Sequence, residues 1–580
     1  MKNLIKNIFI VLVFAGMIGC ETFEPIDENR LEFEDVSIFP ARAEGILLNG
    51  YTGLVNQYSG YTGLVNQYSF SEAATDDAVN NQLGNNYKQI ALGLLNAQFN
   101  PASRWSSYER VFWVNKFLQI VNAGEIVWSR DEVVNKLFND RMKGEALALR
   151  ALHHFYVLQG HAGKSTSGEL LGIPYFTEFI ESDGNFNVPR LSFTASVEAI
   201  MKDFDDALVL LPTDYSNSAI DDKYDGIDPD LYRRVNGSLY NLRISGRIVK
   251  ALKARVALFV ASPSFLNGQG NYYNIAAENA ADVLSLIGGV SGLNSNGIEF
   301  YKSDDNLKSS EILWRSSIGG NSSAIEKRMF PPTLNGTGEI NPTQNFVDAF
   351  PMEDGTPITE PNSGYNPQDP YKGRDPRLEK YVIRNGSSYG GTTINTGFGG
   401  GIDRLDSIQE FSTTTGYYLK KLLRPDVRIN SDGTTSGKIH ANVYFRYTEL
   451  FLILAEAANE IDGPNHQVNG ISARDVIAAI RNRAGITQPD NYLVSITTKD
   501  AMRELIRNER RIELSFEGHR FWDLRRWGVN LNEAAKGYFF NGSTYQELSS
   551  VEIRNFPSNY MPIPNSEIVK FSELEQNNGW

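Results

Sequence analysis

Apolar residues recur at helical spacing through most of the first half of the chain. Arg141–Leu158 (RMKGEALALRALHHFYVL) gathers Leu147, Leu149, Leu152, Phe155 and Tyr156 into one broad stripe, which predicts an amphipathic helix. Val197–Leu211 does the same with Ile200, Phe204, Ala207, Leu208 and Leu211, and Pro212 stops it. Arg247–Ala261 is another amphipathic segment, closed before Pro263. Residues 288–440 behave differently, being rich in Gly, Asn, Asp, Ser and Pro, and Gly390–Gly401 (GGTTINTGFGGG) reads as loop. Helical spacing returns at Tyr444–Glu460, Ala473–Arg483 and Lys499–Phe516.

The pattern divides the chain into a helical region, 45–287, and a C-terminal region, 288–580, loop-rich over 288–440 and helical over 441–530. Alternating helices with short connections predict a mainly α fold, a solenoid of helix pairs beside a large irregular half. One repeat is literal. Tyr51–Gly60 (YTGLVNQYSG) is followed by Tyr61–Phe70 (YTGLVNQYSF), and Leu54, Tyr58, Tyr61, Val65 and Tyr68 still fall on one helical stripe. That reads as a tandem copy lengthening one helix and carries no function of its own.

The N-terminus adds a destination. Lys2 and Lys6 precede an apolar run, Ile8–Ile18, about half the ~20 residues a spanning helix needs, so residues 1–19 read as a secretory signal peptide. Gly16-Met17-Ile18-Gly19-Cys20 resembles a bacterial lipobox, with Met17 where leucine is usual. By that resemblance Cys20 is lipidated and becomes the first mature residue, and residues 20–44 form an acidic tether to the membrane.

Composition narrows the chemistry. The 580 residues are 41% hydrophobic and 21% charged, ordinary for a globular protein. A rule of ~150 residues per domain would allow about four domains, but long helical arrays break that rule, so one to three units with ample core are expected. A net charge of -14 argues against nucleic acid as a partner. A single cysteine permits neither an internal disulfide nor a Cys-based zinc site. Ala162-Gly163-Lys164-Ser165-Thr166 lacks the earlier glycine of a phosphate loop, since Leu158 stands there. Asp221-Asp222-Lys223-Tyr224-Asp225-Gly226 is half a calcium loop with Lys223 at a ligand position, so no metal and no cofactor is expected. His153 and His154 are adjacent and splay apart on a helix, and neither HExxH nor GxSxG occurs. Glu509, Glu513 and Glu517 share one helical face and suit either acid–base catalysis or ion pairing. The interleaved Arg510, Arg511, Arg520, Arg525 and Arg526 favour a structural lock, and Trp522 and Trp527 favour core.

The same stretch carries a family resemblance. Ala479-Ile480-Arg481-Asn482-Arg483-Ala484-Gly485, Glu509–Trp527, Met561-Pro562-Ile563-Pro564 and Glu575-Gln576-Asn577 are similar to the C-terminal signature of the SusD/RagB family of outer-membrane lipoproteins. Earlier pieces match in order. They are Gly144-Glu145-Ala146 through Arg150-Ala151-Leu152, Gly172-Ile173-Pro174, Pro342-Thr343-Gln344 to Asp348-Ala349-Phe350, Arg374-Asp375-Pro376-Arg377 and Thr415-Gly416-Tyr417. The resemblance covers essentially the whole chain. It departs in the duplicated decapeptide and the Gly-rich loop.

The resemblance implies a tetratricopeptide-like helical scaffold with an irregular ligand-facing half, non-catalytic, at the cell surface of the outer membrane. It further implies capture of an oligo- or polysaccharide and its delivery to a SusC-like TonB-dependent transporter. Oligopeptide capture on the same scaffold is the alternative, and a surface glycoside hydrolase a more distant one. Sugar binders set aromatic faces against rings and polar groups against hydroxyls. On that basis Asp76 and Asp77, Trp105, Arg377 and Tyr417 are the expected ligand-binding residues.

Overall fold

The computed structural model describes residues 39–55, 70–124 and 126–580. The signal peptide, Cys20, the tether before residue 39 and most of the duplicated decapeptide lie outside the described residues. The longer helices are α1 (Pro40–Leu48), α2 (Ser107–Ala123), α3 (Glu132–His161), α4 (Phe193–Leu210), α5 (Pro229–Asn236), α6 (Gly246–Ala261), α7 (Tyr272–Ser285), α8 (Tyr447–Asp462), α9 (Ala473–Ala484), α10 (Lys499–Glu513) and α11 (Arg520–Trp527). Their ends carry the expected local chemistry. Asp131 caps α3 by accepting the Val134 N–H, and Ser472 with Asp475 forms a reciprocal capping box on α9. α2, α9 and α11 stop at Gly124, Gly485 and Gly528, all left-handed.

The fold is mainly α, built of tetratricopeptide-like helix pairs. α2 packs on α3, α3 on α4, α4 on α6, α6 on α7, α7 on α8, and α8 on both α9 and α10. The first core is therefore continuous from Phe117, Leu152 and Phe204 through Leu252 and Leu284 to Leu450, Ile477 and Ile506. Each such side chain contributes about 1.5–3 kcal/mol by leaving water. The helices after residue 441 thus extend the N-terminal array.

Two predicted helices are shorter than expected. Residues Val443–Arg446 form a strand, so the helix expected from Tyr444 begins at Tyr447. The helix expected to reach Phe516 ends at Glu513, because Leu514 leaves helical geometry and Phe516 takes φ 60°. That reversal lets the chain fold back and start α11.

The irregular half has short strands: β1 (Ala78–Asn80), β2 (Ile312–Arg315), β3 (Ile340–Pro342), β4 (Val443–Arg446), β5 (Ala535–Phe540) and β6 (Tyr545–Glu552). They pair antiparallel as β1 with β3, β2 with β4 and β5 with β6. Around them lies a second core of Phe346, Phe350, Tyr381, Tyr417, Tyr418, Phe516 and Phe521. α10 is the seam, giving Leu505 and Ile506 to the first core and Ile512 to the second. Part of the predicted Gly-rich loop is ordered as well, since Thr392–Ile394 pairs with Ser387–Tyr389. Among the described residues no helix is long and apolar enough to cross a membrane.

Candidate functional site

Four of the five residues expected to touch ligand are interior. Asp76 and Asp77 follow Thr75, whose hydroxyl donates to the Glu72 carbonyl and accepts the Asp77 N–H at 3.1 Å, turning both carboxylates inward. Asp76 accepts from Arg511 at 2.9 Å and Arg520 at 2.8 Å, and Asp77 from Arg511 at 2.6 Å. Burial opposes ionisation of Asp76, but Arg511 and Arg520 outweigh it and hold the carboxyl below its usual range. With 7% and 0% of their surfaces exposed, the two carboxylates are a clamp joining the N-terminal segment to α10 and α11, with no face for a ligand.

Arg377 is fully buried. It donates to Asp375 at 2.6 Å and to Glu509 and Glu513 at 2.9 Å each, so RDPR pins the loops to α10. Tyr417 is fully buried too, its hydroxyl 2.5 Å from Gln344 Oε1 and 3.0 Å from the Tyr371 hydroxyl. Only Trp105 keeps a half-exposed ring, edge-on to Tyr108 at 5.0 Å and to His161 at 5.3 Å. Trp522 and Trp527 are buried as expected.

The carboxylates considered for acid–base chemistry are likewise consumed. Glu509 also pairs with Arg481 at 3.1 Å, Glu513 with Arg483 at 2.8 Å, and Glu517 with Arg446 and Lys421 at 2.7 Å. Burial works against Glu517, yet Arg446 and Lys421 bring it down to about 2. The lock predicted from the sequence is present, with different partners. The interleaved arginines turn elsewhere: Arg510 to Asp523, Arg511 and Arg520 to Asp76, and Arg526 to Glu456. Among the described residues Arg525 meets no acid; it stacks 3.6 Å over Phe521 and is pushed down to about 9 by burial. Glu509 and Glu513 are closed in by these partners, while Glu517 borders a cleft shared with His519 and Trp522, its two oxygens held by Arg446 and Lys421.

A different surface gathers the accessible chemistry. The loop after β1, the segment 395–412 and the β5–β6 hairpin meet on the irregular half. Asn81 reaches the carbonyls of Thr337 and Gly338 at 2.9 and 3.0 Å, and the Leu83 N–H donates to Glu410 Oε1 at 2.9 Å. The Phe398 N–H donates to the Phe540 carbonyl and the Tyr538 N–H to the Thr415 carbonyl, each at 2.8 Å. The second bond explains the glycine of TGY. Gly416 has φ 89°, and a Cβ there would lie 2.0 Å from the Tyr538 carbonyl oxygen.

These backbone ties hold the loops, on which Phe398 is 69%, Leu83 57% and Phe411 44% exposed, as are Ile402 and Ile408 in part. Deeper in, Tyr545 stacks on Tyr538 with centroids 5.5 Å apart, Tyr371 meets Tyr545 edge-on at 5.5 Å, and Arg384 sits 4.6 Å over Tyr371. Asp348 accepts from Gln344 at 2.6 Å, and burial pushes its carboxyl above the usual range against that bond and Arg374. Exposed rings such as Phe398 and Phe411 can stack on a sugar-ring face, while polar groups on the same loops meet hydroxyls. The sequence does not mark this surface, since Phe398, Ile402 and Leu405 fall at i, i+4 and i+7, the spacing of a stripe that a helix would bury.

A helix-pair scaffold presenting a rigid loop-built face defines the protein's class, and the comparisons agree with it. A family profile described as "SusD family" matches residues 303–580, and one described as "Starch-binding associating with outer membrane" matches residues 31–222. The chain belongs to the SusD family. Among curated relatives, SusD-like protein P25 of Formosa agariphila is 30% identical over 159 residues, and SusD-like protein P2 of the same organism 32% over 139. Those matches cover 26% and 23% of this chain and 28% and 24% of the relatives. A SusD-like protein from Bacteroides fragilis superposes with TM-score 0.71 at 22% identity, over 95% of this chain and 99% of the other. A SusD-like carbohydrate binding protein from the same organism gives 0.69 at 20%, over 93% and 100%. Surface glycan-binding protein A from Bacteroides fluxus gives 0.58 at 19%, over 94% and 100%.

Proposed function

We propose that the protein captures an oligo- or polysaccharide on its loop-built face and passes it to a SusC-like TonB-dependent transporter, held at the outer face of the outer membrane by lipid on Cys20. The observation that carries this reading is two exposed rings on one ordered segment: Phe398, tied through its N–H to the Phe540 carbonyl, and Phe411, tied to the Ile408 carbonyl next to Glu410, which holds Gln82 and Leu83. Family membership and the descriptions of its profiles and of two structural neighbours support it. An anchored binder beside a pore raises the local ligand concentration, so even a weak site is useful. Capture and delivery require no bond to be broken.

Calorimetry on protein starting after Cys20, titrated with an oligosaccharide panel and one peptide mixture, tests the reading. Binding of one glycan class, weakened at least tenfold (about 1.4 kcal/mol) by the Phe398→Ala/Phe411→Ala double variant, is expected. Both residues lie outside the cores, so unfolding should shift by no more than about 0.5 kcal/mol. Binding of peptides alone, or release of reducing sugar by the wild type, would overturn the proposal.

A further inference from the structure

Away from the exposed rings, the irregular half contains a cleft of about 420 Å³, within the range of small-molecule sites. Tyr301 and Tyr389, both almost fully buried, form part of its lining. The hairpin Ser387–Tyr389/Thr392–Ile394 forms one wall and turns through Gly390 and Gly391, both at positive φ. A Cβ on Gly390 would lie 2.8 Å from Leu334, so the wall is closely packed behind.

The charge of this cleft runs against that of the chain. Three ammonium groups line it, those of Lys302, Lys380 and Lys420, against the single carboxylate of Glu299. Glu299 is 2.9 Å from Lys302 and 3.8 Å from Lys380, so one acid serves two lysines. Lys420 donates to the backbone carbonyl of Glu379 at 2.6 Å, while the Glu379 carboxylate turns to Arg384. Burial, with Lys302 and Arg384 nearby, lowers the Lys420 pKa despite Glu379 and Glu299. Such an amine gains from an incoming anion. In a chain of net charge -14, a pocket holding three cations to one anion is not an average piece of surface.

We infer that this cleft takes the anionic substituent of an acidic saccharide, a carboxylate or a sulfate ester, held by Lys302, Lys380 and Lys420. The inference rests on the glycan-binding reading above and narrows its ligand class.

The test is calorimetry on the same protein with hexasaccharides of three kinds: neutral α-1,4-glucan, polygalacturonate and sulfated galactan, each at 50 and 300 mM NaCl. At least one acidic probe should bind tenfold or more tighter than the neutral one, and which one does so separates carboxylate from sulfate. That advantage should shrink at high salt. It should also fall at least tenfold in Lys302→Ala/Lys380→Ala, whose side chains are exposed or half-exposed, and in Lys420→Ala, with unfolding midpoints recorded for each. If the neutral probe binds and the acidic ones bind no tighter, or are indifferent to the lysines, the inference fails while glycan capture stands. If no saccharide of any charge binds, glycan capture fails and takes the inference with it.

Discussion

Arg377→Met should destabilise the protein without touching its ligand site. The guanidinium reaches three buried carboxylates, Asp375, Glu509 and Glu513, at 2.6–2.9 Å, and all four side chains are fully buried. Methionine keeps the aliphatic stem and removes the charge. Glu509 and Glu513 retain Arg481 and Arg483, so the carboxylate left without its cation is Asp375. Removing one partner of a buried ion pair costs about 3–5 kcal/mol, and the surviving arginines keep the loss from being a multiple of that. At roughly 2–4 °C per kcal/mol for a cooperative unit of 150–250 residues, Tm should fall by about 6–20 °C. Urea unfolding followed by circular dichroism gives the free energy, and calorimetry with the bound glycan gives the affinity. Adding Asp375→Asn should recover at least about 1 kcal/mol, because the stranded charge is then gone. A loss under about 1 kcal/mol, or an affinity loss at unchanged urea midpoint, would return Arg377 to the ligand and refute the lock.

Two further outcomes follow from the interior. His161 accepts the Arg104 N–H at Nε2, 3.0 Å away, and donates from Nδ1 to the Pro562 carbonyl at 2.8 Å, so its neutral form fits the site. Burial is the main cause that brings its pKa down to about 3. Because the folded pKa lies below the unfolded one, near 6.5, its contribution is complete above about pH 6.5 and is lost as pH falls towards 3, by up to about 1.4 kcal/mol per unit. Urea midpoints of wild type should therefore decline more steeply from pH 7 to 4.5 than those of His161→Gln, and parallel declines would contradict this. Gly416→Ala should lower stability by about 1–3 kcal/mol, through the contact with the Tyr538 carbonyl and the positive φ, and an unchanged urea midpoint would show that the β5–β6 hairpin is free to shift.

The helices were legible because their cause is local. A 3.6-residue apolar repeat, a capping side chain and a stopping proline or glycine lie within a few positions of one another, and α3, α4, α6 and α9 fall where Arg141–Leu158, Val197–Leu211, Arg247–Ala261 and Ala473–Arg483 placed them. The family was legible for a related reason: its motifs are short segments in fixed order. Which charge meets which was not legible. Asp76 lies 435 residues from Arg511, and Arg377 lies 132 from Glu509 and 136 from Glu513. A carboxylate in a polar loop has the same sequence signature whether it faces a sugar or an arginine across the fold. Asp76, Asp77, Arg377 and Tyr417 were therefore plausible ligand residues until the second core closed over them. The exposure of Phe398 and Phe411 was not legible either, since it is a property of the assembled surface. The sequence by itself determined the helical scaffold, the family and the polar character of the irregular half. Only the tertiary structure decided which polar and aromatic groups are spent holding that half together and which remain at its surface, because burial and pairing depend on contacts across hundreds of residues.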